Sequence, residues 1–89
     1  MKAIITVLGK DKVGIIAKVC TFLAEREINI LDISQTIVQG YFNMLMIVEM
    51  TESDERFMAM ADGLDKLGEE IGVVIKVQHE DIFNSMHRI

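Results

Sequence analysis

Six residues near the start of the chain, Gly9-Lys10-Asp11-Lys12-Val13-Gly14, have the types and spacing to receive a small anion. They follow an apolar run, Ala3 to Leu8, that reads as a buried strand, and they precede a helical pattern beginning at Ile15. A strand delivered into a glycine-bracketed turn that opens a helix leaves unpaired backbone N–H groups and a positive dipole end at one point. The ligand chemistry this favours is a carboxylate. A structural reading stands beside it, in which Gly9 and Gly14 serve the turn and the close approach of helix to sheet.

The other reactive residue types are poorly placed for chemistry. Cys20 is the single cysteine, so no internal disulfide forms, and it falls in a helical apolar stripe where a buried, inert thiol is expected. Ser34 has no histidine at a recognisable spacing to activate it. His79 and His87 stand near Glu80 and Asp81, but His79 alternates out of the last strand and His87 lies in the tail, so neither a metal site nor a cofactor is expected. A soft-metal carrier needs a C-x-x-C pair, and a phosphate cradle of the acylphosphatase kind needs an arginine in the first loop, which here carries Lys10 and Lys12. Tyr41 and Phe42 lack the flanking basic residues of an RNA-binding sheet and read as core or interface. No enzyme is expected.

The chain has 89 residues, 51% of them hydrophobic, with seven methionines and a formal net charge of -5. That is one small domain, 1–89, with a marginal core that burial between subunits would help. The acidic balance and the lack of a basic block argue against nucleic acid. No apolar run reaches the roughly 18 to 20 residues of a membrane span, and no signal-peptide pattern opens the sequence, so a cytoplasmic protein with no membrane partner is expected.

Periodicity supplies the elements that hold the turn. Ile16, Val19, Cys20 and Leu23 make a helical stripe. Ile30 to Gln39 alternates, with Leu31, Ile33 and Ile37 on one face and Asp32, Ser34 and Thr36 on the other, as an edge or solvent-facing strand does. After Gly40, Tyr41 to Met50 resumes the alternation, which argues a hairpin. Ser53 and Asp54 are good N-caps for a second helix carrying Phe57, Met60, Ala61, Leu64, Leu67 and Ile71, with Gly72 at its end. Val73 to Glu80 is a fourth strand with one polar face. The 80–89 tail, with Ile82, Phe83, Met86 and Ile89, is apolar enough to pack on something and long enough for a short helix.

The order strand, helix, strand, strand, helix, strand is the signature of an α+β, ferredoxin-like βαββαβ sandwich: a four-stranded antiparallel sheet with two helices on one face. Right-handed crossovers make strands one and three central and strands two and four edges. The apolar face that two helices leave uncovered predicts a homodimer or larger oligomer.

At this point the residues resemble a known family. Gly9-Lys10-Asp11-Lys12-Val13-Gly14-Ile15-Ile16-Ala17, followed by Ile28-Asn29-Ile30-Leu31-Asp32-Ile33-Ser34-Gln35, resembles the ACT domain, a regulatory module that typically binds amino acids. The resemblance covers the whole chain, and Gln39-Gly40-Tyr41-Phe42 with the methionine-rich strand after it looks like the small bacterial and archaeal proteins that consist of one ACT domain. It implies pairing through the second strand and first helix into an eight-stranded sheet with ligand at the subunit interface. Carried over residue by residue, it implicates Gly9, Asp11, Gly14, Ile15, Asn29 and Asp32 in the site. N–H groups near Gly14 would take a carboxylate, and Asp11 or Asp32 an ammonium. Asp11 is equally suited to cap the helix or turn, and Asn29 to satisfy the loop backbone. The function implied is a homo-oligomeric sensor of an amino acid or related carboxylate. The alternative is a constitutive interaction module that docks a protein partner without ligand.

Overall fold

The computed structural model describes residues 2–10, 12–50 and 54–79. It contains β1 (Lys2–Lys10), α1 (Ile15–Glu25), β2 (Asn29–Val38), β3 (Tyr41–Glu49), α2 (Asp54–Ile71) and β4 (Val73–His79). The strands form one antiparallel sheet in the order β2-β3-β1-β4. The strands that the sequence makes apolar on both faces are thus the central ones. Residues paired across an antiparallel ladder share a face, so the registers sort every strand position. Ala3, Ile5 and Val7 lie with Val48, Met46 and Met44 on the helix side, and these six are fully buried. Val19 and Leu23 of α1 and Met60 and Leu64 of α2 close the core over them.

Local sequence explains the joints. Gln39 and Gly40 both take positive φ, 51° and 82°, between the paired Val38 and Tyr41, the backbone of a tight two-residue hairpin. α1 ends with Glu27 at φ 57° while the Ile28 N–H donates to the Leu23 carbonyl and the Glu27 N–H to the Ala24 carbonyl, which satisfies carbonyls at the helix end. The β2 ladder contains a bulge between Ile30 and Asp32. The extra residue resets the alternation, so Ile30 joins the Ile33 face despite lying an odd number of residues away. Ser53, the expected N-cap, lies outside the described residues.

Three expectations need correction. β1 continues past Leu8: Gly9 and Lys10 pair with Phe42 and Tyr41, so they belong to the sheet and not to the turn. Ile16 sits outside the buried stripe of α1, which is Ile15, Val19 and Leu23, because Ile15 is the position that rotates onto the sheet. His79 does not turn outward; it pairs with Ala3 on the helix side, with its ring 6.3 Å from that of Phe57.

α2 approaches β4 closely at Gly68, where a methyl group would stand 2.7 Å from the Val73 carbonyl oxygen. Backbone cannot yield there, so Gly68→Ala is expected to destabilise by about 1–3 kcal/mol, offset partly by about 1 kcal/mol of helix propensity. At Gly63 the methyl group would meet the Phe22 ring, 2.6 Å from its Cζ. A side chain can move, so Gly63→Ala should cost less. Urea midpoints of the two variants check the ranking, and a Gly68→Ala protein more stable than wild type would refute the close approach.

Candidate functional site

The turn between β1 and α1 is built from a strand end and a helix start. Gly14 is the N-cap, at φ 91° and ψ 2° in the left-handed region, and it has no side chain with which to cap. Its carbonyl accepts the Lys18 N–H at 2.9 Å, which begins the helical ladder. The N–H groups of Ile15, Ile16 and Ala17 precede that ladder and have no intrahelical carbonyl. The first turn of α1 carries no acidic side chain. These residues line a cleft of about 360 Å³ together with Lys12 and Phe42. Three directed donors at a positive dipole end and an apolar wall suit a small carboxylate with a hydrocarbon portion.

Lys12 reaches away from its own turn. Its ammonium lies 3.5 Å from the Ile71 carbonyl oxygen, at the C-terminus of α2, whose last turn holds no basic residue. A cation there complements the negative end of that helix. Asp11, between Lys10 and Lys12, lies outside the described residues.

The candidate residues fall into two groups. Gly14 and Ile15 adjoin the cleft, and Gly9 lies at the same end of the sheet, opposite Phe42 and Val73. A Cβ on Gly9 would stand 2.8 Å from Val73 Cγ1, so packing against β4 requires this glycine. Asn29 and Asp32 lie towards the other end. Asn29 pairs with Glu49, which pairs with Lys2, and Asp32 shares a row with Ile47 and Ile4. Those rows are about 23 Å and 17 Å along the strands from Gly9, at about 3.3 Å per residue. Asp32 also faces the side of the sheet away from the helices, being opposite Ile47. One protomer therefore does not bring the two groups together. Ile16, Ala17 and Phe42 enter the cleft without having been named as site residues from sequence, and Lys12 was named only as part of the turn; the placement of Phe42 depends on a ladder pairing 33 residues distant from Gly9.

Other reactive groups stand apart. Cys20 is half-buried, and burial pushes its thiol pKa up, which disfavours a reactive thiolate. Among the described residues no three His, Cys, Asp or Glu side chains converge to hold a metal ion; His87 lies outside them. No described helix is long and apolar enough to cross a membrane. A second hollow, of about 290 Å³, lies between the helices against Phe22 and Leu67.

A single split-βαβ sheet whose first strand leads into a helix start at Gly14 defines the class: a ferredoxin-like α+β domain. The chain belongs to the ACT domain family, whose model matches residues 2–78; members are typically regulatory ligand-binding domains. It is 59% identical over 88 residues to a UPF0237 protein of Bifidobacterium longum, covering 99% of this chain and 98% of that one. Among solved structures, an ACT domain protein from Streptococcus pneumoniae superimposes with a TM-score of 0.83 at 43% identity, covering 93% of each chain. The regulatory subunit of aspartate kinase from Thermus thermophilus superimposes with a TM-score of 0.69 at 28% identity, over 89% of this chain and 51% of that one.

Proposed function

We propose that this protein is a non-enzymatic sensor that binds an amino acid or a related small carboxylate between two copies of the chain. The observation that carries the reading is the start of α1: N–H groups of Ile15, Ile16 and Ala17 without a described acidic cap, opening onto an apolar cleft beside Lys12. The aspartate kinase neighbour is, by its description, a regulatory subunit, which agrees with a sensing role.

The second copy follows from the edge. β2 is exposed along nearly its whole length, and on the helix side it leaves Ile33 and Ile37 40% and 53% exposed. A ten-residue edge strand with Asp32 as its one charge is an unprotected pairing edge. α1 presents Ile16, Ala17, Thr21 and Ala24 outward beside it. Antiparallel pairing of β2 with a second β2 would continue the sheet and set the two α1 helices side by side. Lys18 of one would then lie near Glu25 of the other. The same two-fold brings the start of β2, with Asn29, to the end of the neighbouring sheet that carries Gly14. Asn29, opposite Glu49, and Asp32, opposite Ile47, both stay on the face away from the helices, so the ammonium of a bound amino acid is left to Asp11.

Sizing should give twice the 10.1 kDa chain mass, and a thermal-shift screen of the common amino acids should raise Tm for at least one. Saturation at a hundredfold over Kd adds about 2.7 kcal/mol. Ile33→Asp, remote from the turn, should yield a folded monomer that has lost the shift. A wild-type monomer that still responds would overturn the interface site. A dimer silent to every amino acid would move the function to the ligand-free interaction module, which the exposed Leu8, Tyr41 and Val74 of the outer sheet face favour.

A further inference from the structure

The sheet face turned away from the helices is not uniform. The registers place Thr36, Asn43, Leu8 and Val74 in one row across it and Asp32, Ile47, Ile4 and Gln78 in another. Leu8 and Val74 are 53% and 57% exposed, whereas Ile4, on the same strand and the same face as Leu8, is 4% exposed. Ile47 and Gln78 beside it are half-buried. Among the described residues, Ile4 is the one buried apolar side chain that does not join the core cluster between helices and sheet. Neither helix stands over it.

We propose that residues 80–89 dock on this end of the outer face, over Ile4 and Ile47. β4 ends at His79, paired with Ala3 next to Ile4, so the segment starts at the border of the patch. Its apolar residues Ile82, Phe83, Met86 and Ile89 have the spacing of one helical stripe. Ten residues in that form span about 15 Å, which is about three strand spacings, enough to pass from β4 across β1 to β3. The charges agree in direction: Arg88 stands one residue before the segment's end, and the far side of the face carries Asp32 and Glu49. The segment leaves the Leu8–Val74 row open and denies the Ile4 row to a stacked second copy.

The chain has no tryptophan, so Phe83→Trp reports on the segment in the intact protein. The introduced indole should emit to the blue and resist acrylamide, unchanged on dilution through dimer dissociation. Adding Ile47→Lys, or the milder Thr6→Glu one row away, should shift emission to the red and raise quenching several-fold while far-UV circular dichroism holds. Solvent-like emission from Phe83→Trp would overturn the proposal, as would shielding that neither face variant disturbs. Shielding that disappears on dilution would assign the patch to a second copy and overturn it equally.

Discussion

Leu64→Ala is expected to lower unfolding free energy by about 2–5 kcal/mol, the range for removing a large aliphatic side chain from a packed interior. Leu64 is fully buried on α2, in the layer that closes over Ile5, Val7 and Met46. The domain is small, so each kcal/mol corresponds to about 4–8 °C in Tm, and the variant should melt about 8–40 °C below wild type. Asp65→Ala, one residue along on the exposed side, is the control and should stay within about 0.5 kcal/mol. If calorimetry puts the two variants level, the assignment of α2's inner face is wrong.

Gly14→Val should have the second largest effect, and the conformation of Gly14 divides its causes. At φ 91° a branched side chain is strained although nothing lies within 4 Å of its Cβ. The expected cost is about 1–3 kcal/mol, with or without ligand. Loss of binding by that variant would therefore not by itself locate a site. Gly14→Asn separates the two, because asparagine accepts left-handed backbone far better than valine while still placing a side chain at the mouth of the cleft. It should keep most of the wild-type Tm and lose the thermal response to amino acids. Retention of both by Gly14→Asn would falsify the assignment of this turn as the site.

Much of this architecture was legible because each element repeats with one period and ends on a recognisable residue. Apolar positions on both faces of Ala3–Leu8 and Tyr41–Val48 identified the central strands, and Leu31–Ile37 with its polar alternate face identified an edge. What escaped is non-local. Gly9 reads as a turn glycine in sequence, yet it lies within the sheet and is required by Val73, whose side chain approaches from the far end of the chain. His79, by contrast, shares the parity of Val73, Ile75 and Val77, so alternation alone already places it on the core side, where its ladder partner is Ala3. The candidate site shows the same division: Gly14 and Ile15 were readable as a helix start, whereas Lys12 at the end of α2 and Phe42 in the cleft wall depend on contacts across the fold. Asn29 and Asp32 look adjacent to the motif in the family pattern, but the hairpin register carries them to the opposite end of the sheet.

The strand order β2-β3-β1-β4 also bears on how the chain acquires this structure. β1 is made first and sits in the middle, so its two neighbours are the third and fourth strands. During synthesis it has no sheet partner until residues 41–49 have emerged, and one of its edges stays unpaired until residues 73–79 follow. An apolar segment with both faces seeking cover must therefore wait for most of the chain. Such distant pairings slow folding and prolong exposure of sticky surface. Newly made chains are accordingly most vulnerable to self-association before β4 is released, whatever the stability of the finished domain.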